Sequence, residues 1–286
     1  MTMPKVSVLM PVYKTQEEHL RQAIESVLNQ TYTDFEFLIL DDCPDDTRED
    51  IVKSYQDKRI KYSQNEKNLG ITPSRNKLID MAQGEYLAVF DHDDISLPER
   101  FAKQVAYLDA NKDVGVVSSW VDCFPDENKL YFPSDDIEIK KLLTDICSLV
   151  HPASMIRKSV LDKHNLRYEE EFTPSEDYCL WLRLIEFTKF HNIQEVLFKY
   201  RLHLNNTSKN QHSKMVAATD KLHFWVRHKY STLYQMYIQD RTRVLKVKLF
   251  GFPLLKIFIT RNKIKVYLFS FFPCLSINRK VLSWPK

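Results

Sequence analysis

With 286 residues, 44% apolar and 12% aromatic, the chain has enough nonpolar surface for a substantial core, which excludes intrinsic disorder. Its four glycines, Gly70, Gly84, Gly115 and Gly251, cannot assemble a G-x-G-x-x-G or a G-x-x-x-x-G-K-[ST] loop, so a dinucleotide-binding Rossmann site and a P-loop are excluded. The net charge of +3 conceals an asymmetry: from Arg241 to the end there are 11 Lys/Arg and no acid, leaving 30 bases against 38 acids before it.

The N-terminal "MTMPKVSVLMPVY" enters a strand at once, without a basic segment, long apolar run and small-residue cleavage site, so no signal peptide is expected. "VSVLMPVY" (6–13) reads as a buried strand and "TQEEHLRQAIESVLNQ" (15–30) as a helix, with Thr15 and Glu18 as a capping box. "FEFLILDD" (35–42) is a second strand, followed by the helical "TREDIVKSYQ" and a short strand at 60–64. "TPSRNKLIDMAQ" (72–83) predicts a helix with Thr72 as N-cap and Pro73 in its first turn. Gly84 ends it, and "YLAVF" (86–90) is the next strand. Pro98 opens "PERFAKQVAYLDAN", and "VGVVSSW" (114–120) is another strand. Alternation of this kind predicts an α/β fold with a mostly parallel central sheet flanked by helices.

The second half is less regular. "SEDYCLWLRLIEF" (175–187) reads as an amphipathic helix, "VLFKYRLH" (196–203) as a strand and 209–238 as mostly helical. The end carries a loose repeat, "KVKLFGFPLLKI" (246–257) against "KVYLFSFFPCLSI" (265–277). Its longest uncharged run, Val266 to Asn278, has 13 residues and is too short to span a bilayer. Lysines interleaved with aromatics suit an element lying on an anionic membrane surface; a basic amphipathic hairpin packed on protein is the other reading. The expected organisation is a catalytic domain over 1–210, halves 1–120 and 121–210, a helical extension over 211–240 and a basic tail over 241–286. Five scattered cysteines without a C-x-x-C pair fit a reducing compartment and neither a disulfide framework nor a zinc site.

Two strands end in acid, at Asp41-Asp42 and at Asp91, and in open α/β sheets ligands bind beyond the strands' carboxyl ends. In "FDHDD" the carboxylates of Asp91 and Asp93 can approach one ion, and hard oxygen donors favour Mg²⁺ or Mn²⁺ shared with substrate phosphates. A solvated acidic loop is the alternative.

Six segments together, "VSVLMPVYK" (6–14), "SVLNQTYTDFEFLILDD" (26–42), "NLGITPSRN" (68–76), "AQGEYLAVFDHDD" (82–94), "SEDYCLWLRL" (175–184) and "YRLHLNNTS" (200–208), resemble the inverting family 2 glycosyltransferases of GT-A fold. The resemblance covers roughly the first 210 residues in the family's order. It implies that Pro11, Tyr13, Asp41 and Asp42 hold the nucleotide base and ribose. Asn68, Arg75 and Asn76 would serve the nucleotide sugar, Arg75 being alternatively an ion-pair partner of nearby acids. Asp91 would contact ribose or a shared metal, Asp93 would be the direct metal ligand with His203 beside it, and Asp94 would support the loop. Arg201 is a further diphosphate candidate. Asp177 would be the catalytic base removing the acceptor hydroxyl's proton. Glu176, about 100° away around the helix, and His151 would face the acceptor or sugar. Where the family often has Gly-Ser after the acidic pair this chain has Cys43-Pro44, so the loop there is expected to differ.

The resemblance therefore implies one sugar moved from a nucleotide-diphosphate donor, a UDP-sugar, to a hydroxyl of a glycan or lipid-linked acceptor in bacterial surface polysaccharide synthesis. The enzyme would need Mn²⁺ or Mg²⁺ and sit peripherally on the cytoplasmic face of the plasma membrane, with no nucleic-acid partner. The alternatives are a nucleotidyltransferase, which ordinarily has the glycine-rich loop lacking in "MPVYKTQEE", and a non-catalytic membrane-docked binding protein.

Overall fold

The computed structural model describes residues 3–126, 128–203 and 210–241, and the backbone of four strands beyond them. The chain divides into two compact units, Met1–Val226 and Arg227–Lys286, the division falling inside the helix His212–Lys229.

The first unit begins with β1 (Val6–Val12), buried along its whole length because both sheet faces are covered. Helix α1 (Glu17–Leu28) buries Leu20, Ala23, Ile24 and Val27 in the core, each large side chain stabilising by about 1.5–3 kcal/mol. Its N-cap is Gln16 with no side-chain cap bond, so the expected capping box does not form; the Thr15 hydroxyl pairs instead with His92 Nδ1 at 2.8 Å. Then follow β2 (Phe35–Asp41), α2 (Glu49–Lys53), β3 (Ile60–Gln64) and α3 (Ile71–Met81). The α3 helix starts one residue earlier than expected, after Gly70 at φ 87°, and Thr72 bonds Thr173 instead of capping. At the α3–β4 junction a Cβ on Gly84 would lie 2.6 Å from the Ser7 backbone nitrogen, which is why only glycine fits.

Next come β4 (Tyr86–Val89), β5 (Ile95–Ser96), α4 (Arg100–Ala110), β6 (Val114–Phe124), β7 (Asn128–Leu130), α5 (Asp136–Leu143), β8 (Met155–Arg157), α6 (Lys158–Lys163), α7 (Glu176–Leu184) and β9 (Lys189–Arg201). Among the described residues these strands form one nine-stranded sheet in the order β3-β2-β1-β4-β8-β6-β9-β5, with β7 on β6. The first four strands are parallel, as the β-α alternation predicts. The other half is mixed: the short β8 runs antiparallel to both β4 and β6, β5 is antiparallel to β9, and β6 and β9 are parallel. Buried Arg100 ties this junction together, its Nη2 donating to the carbonyls of Val89 and Ser154 at 2.9 and 3.0 Å.

Helices α8 (His212–Lys229) and α9 (Ser231–Arg241) follow. In the second unit, β10 (Arg243–Leu249), β11 (Phe252–Ile259), β12 (Lys263–Leu268) and β13 (Phe272–Asn278) form an antiparallel sheet in sequential order. The sequence repeat corresponds to its two hairpins, which share a register shift at matching places, Val247/Lys248 and Val266/Tyr267. Among the described residues no helix is long and apolar enough to cross a membrane.

Candidate active site

The carboxyl ends of β1, β2 and β4 open into a cavity of about 870 Å³, within the size range of small-molecule sites. Pro11, Tyr13, Asp42, Asn68, Arg75, Asp91, Asp93, His151, Glu176, Asp177 and His203 all line it. Tyr13 is 45% exposed, which removes the core-packing reading and leaves its ring face available. Asp41 and Asn76 do not line it.

The two acids ending β2 have separate duties. Asp41 turns away: Oδ1 accepts from the Cys43 amide at 3.0 Å, and Oδ2 from the Arg48 amide at 2.7 Å, the Tyr62 hydroxyl and the Thr47 hydroxyl. It organises the Cys43-Pro44 loop and is fully buried. Asp42 forms part of the cavity wall, where its carboxylate accepts from the Leu69 and Gly70 amides and from Asn65 Nδ2, each at 2.8 Å. Asn68 donates to the Asp42 carbonyl at 3.2 Å. Asn76 is a clamp: its amide donates to the Tyr168 carbonyl and accepts from the Tyr168 N–H, both at 2.9 Å.

Arg75 makes the ion pairs that were one of its two expected roles, and it also lines the cavity. Nη1 donates to Glu176 Oε1 at 2.5 Å and Nη2 to Asp91 Oδ1 at 3.0 Å, linking the end of β4 to the start of α7. Burial opposes its charge, but Asp91 and Glu176 outweigh that and hold its pKa above the ordinary arginine value. The other Glu176 oxygen, Oε2, is buried without a hydrogen-bond partner.

Asp177, half-buried in the first turn of α7, accepts from the Tyr178 amide at 2.6 Å. Burial first, then the adjacent Glu176 charge, pushes its pKa up from 3.8 to about 6, with Arg75 opposing. A base poised so close to neutrality suits proton abstraction. Neighbouring His151 is buried, with Nε2 2.8 Å from the Tyr168 hydroxyl; burial and then Arg75 and Arg100 push it well below the ordinary histidine value, so it is neutral.

On the far side of Asp91, His203 Nε2 lies 2.7 Å from Asp93 Oδ2, and the His19 ring is 5.7 Å from that of His203. Burial, then Arg201 and His203, lowers the His19 pKa. Buried Asp94 accepts from the Arg201 amide at 2.8 Å; burial and the charges of Asp93 and Asp91 raise its pKa well above the carboxylate range. Arg201 donates from Nε to the Asp93 carbonyl and from Nη2 to Gln22, both at 2.6 Å, so it braces the acidic loop.

Asp91 and Asp93 present oxygen donors to the cavity and His203 adds an imidazole, a set whose chemistry fits Mg²⁺ or Mn²⁺. Among the described residues no three His, Cys, Asp or Glu side chains gather as a ready-made metal cluster. Such an ion would take one or two carboxylates here and its remaining ligands from phosphates and water, the usual arrangement for Mg²⁺.

Lys14, Thr15, His19 and His92 also line the cavity, and sequence reasoning assigned none of them to it. Lys14 has φ 47°, a left-handed backbone that a lysine does not advertise, and Thr15 carried a capping signal.

Residues 7–164 match the glycosyl transferase family 2 pattern. The chain is 43% identical over 212 residues to an uncharacterized glycosyltransferase of Methanocaldococcus jannaschii, covering 71% of this chain and 72% of that one. It is 33% identical over 221 residues to an uncharacterized glycosyltransferase of Haemophilus influenzae, covering 72% and 68%. Among solved structures it is similar to S. aureus TarS 1-349 in complex with UDP, with TM-score 0.58, 21% identity and coverage of 70% of this chain and 61% of that one. It also resembles the mannosyltransferase PcManGT of Pyrobaculum calidifontis in complex with GDP-Man and Mn²⁺, with TM-score 0.54, 14% identity and coverage of 72% and 59%. The chain spans about three fifths of the length of these two structures.

Proposed function

The chain belongs to glycosyl transferase family 2, and from that premise we propose that it moves one sugar from a nucleoside-diphosphate sugar to an acceptor hydroxyl with inversion at the anomeric carbon. The observation that carries this reading is Asp177, a carboxylate raised to about 6 on the wall of the cavity that also contains Asp91 and Asp93. The acceptor oxygen attacks the anomeric carbon, the bond from that carbon to the β-phosphate oxygen breaks, and the acceptor's proton passes to the Asp177 carboxylate. Inversion follows from a single displacement with one base.

Pro11 and Tyr13 offer faces for a nucleobase, and Asn68 with the Asp42 wall suits the ribose. Asp91, Asp93 and His203 are the groups that would hold Mn²⁺ or Mg²⁺, which when bound neutralises the departing diphosphate. The donor we favour is a UDP-sugar and the acceptor a lipid-linked or growing bacterial surface glycan. TarS with UDP and PcManGT with GDP-Man and Mn²⁺ are consistent with a nucleotide donor. The tail's bases, 11 without an acid, support a peripheral position on the cytoplasmic face of an anionic membrane. Truncation near residue 240 would then release the protein to the soluble fraction, and an unchanged distribution would remove that assignment.

The test is nucleotide release from UDP- and GDP-sugars with Mn²⁺ and an acceptor panel, comparing wild type with Asp177→Asn. Failure of wild type to turn over any donor would sink the proposal.

A further inference from the structure

Just beyond β1 the chain gives up local stability twice within three residues. Lys14 takes φ 47°, a left-handed backbone that sterics disfavour for any residue with a Cβ. Helix α1 then starts at Gln16 with no side-chain cap, although the preceding Thr15 carries a hydroxyl of the kind that caps helices. Unfavourable backbone of this sort persists mainly where function requires it. Both concessions accompany one contact: Thr15 is 4% exposed, and its hydroxyl meets His92 Nδ1 at 2.8 Å. Thr15 is also held from the opposite side. Its carbonyl accepts from Arg48 Nε at 2.8 Å, and the Arg48 amide donates to Asp41. One residue thereby joins the loop after β2, the β1 end that carries Pro11 and Tyr13, and the acidic loop after β4. Thr15 and His92 both line the cavity.

We propose that Thr15 is a positioning residue for the metal-bound nucleotide. By fixing the His92 ring it holds the backbone between Asp91 and Asp93, so that their carboxylates meet a cation and the nucleotide's diphosphate together. This rests on the nucleotide-sugar reading of the site and adds to it a residue outside the acids themselves. The other members of the acidic loop are braced from elsewhere: Arg75 holds Asp91, and Arg201 holds the Asp93 carbonyl and the Asp94 carboxylate. Thr15 secures the remaining member, His92, and ties it to the nucleobase side. A threonine that only started the helix would spend its hydroxyl on a cap, and one that only filled the core would not need the hydroxyl at all.

The experiment measures UDP and GDP binding to the full chain by titration calorimetry, once with Mn²⁺ and once with EDTA. Wild type should bind at least one of them, more tightly with Mn²⁺. In Thr15→Val, which keeps the shape and loses the hydroxyl, the Kd with Mn²⁺ should rise about tenfold, as loss of a group supporting metal ligands commonly does, while the EDTA value moves less than twofold. Thr15→Ser should stay near wild type in both. His92→Leu should reproduce Thr15→Val, and the double variant should lose no more than either single one, because both remove the same bond. An unchanged Mn²⁺ value in Thr15→Val would overturn the proposal. So would an equal loss in EDTA, a Thr15→Ser variant as weak as Thr15→Val, or additive losses in the double variant. A wild type that binds a nucleotide equally with and without Mn²⁺ removes the role of Thr15 and leaves the glycosyltransferase standing; one that binds neither nucleotide removes both.

Discussion

Replacing Asp177 by asparagine should abolish transfer and, at neutral pH, make the protein more stable. The native state holds the Asp177 proton more tightly than the unfolded chain does, because burial and Glu176 raise its pKa from 3.8 to about 6. Between about pH 4 and pH 6 the folded protein therefore binds more protons than the unfolded one, and its stability falls as pH rises through that window. At about 1.36 kcal/mol per pH unit, the gap between 3.8 and about 6 amounts to at most about 3 kcal/mol of native-state cost above pH 6. Asparagine keeps the shape and removes that cost. Chemical denaturation of both proteins at pH 8 and pH 4 should show the variant ahead by about 1–3 kcal/mol at pH 8 and level at pH 4. Nucleotide release should fall by about 10²–10⁴-fold, the usual contribution of a general base. The wild-type kcat/KM should climb through an acid limb near pH 6. A variant less stable than wild type at pH 8, or one that keeps its activity, would refute the account of Asp177 as a strained base.

Arg75→Met leaves buried Glu176 and half-buried Asp91 without their counter-charge and should destabilise by about 3 kcal/mol, while the acid limb of kcat/KM moves to higher pH. A limb that stays put would mean that Arg75 does not act on the base. Asn76→Ala removes two hydrogen bonds to Tyr168 and should cost about 1–3 kcal/mol of stability, leaving the donor KM within twofold; a tenfold rise in KM would restore Asn76 as a ligand contact. His203→Ala should raise the Mn²⁺ concentration for half-maximal activity by about tenfold, as loss of a group on a metal site commonly does. An unchanged requirement would take His203 out of that site.

The β-α alternation of the first 90 residues was legible because strand and helix periods differ and the turns carry Gly, Pro and Asp. β3 and the start of β6 agree with the expected positions, while β9 begins at Lys189, seven residues before its predicted start. β5, β7 and β8 were not legible: two or three residues cannot display a period, and their pairing partners are distant in sequence. The strand-end acids were readable as a group, but not which of Asp41 and Asp42 faces inward. Both follow the same apolar run, and the direction depends on donors arriving later, from Cys43, Arg48 and Tyr62 to one and from Asn65, Leu69 and Gly70 to the other. The Asn76 clamp on Tyr168 was not legible for a related reason, since an amide beside Arg75 looks the same in sequence whether it meets a ligand or a distant backbone.

The Arg75 bridge also makes the two halves of the cavity answer to each other. Asp91 and Glu176 share one guanidinium, and Glu176 sits beside Asp177. On the proposed reading, a donor hydroxyl or cation that engaged the Asp91 carboxylate would leave more of the Arg75 charge to act on Glu176 and Asp177 and would lower the proton affinity of Asp177. Thermodynamic reciprocity requires the converse: ionised Asp177 favours the donor-bound arrangement. Donor occupancy at one strand end would thereby favour the ionised form of a proton acceptor at a helix that the donor itself need not touch.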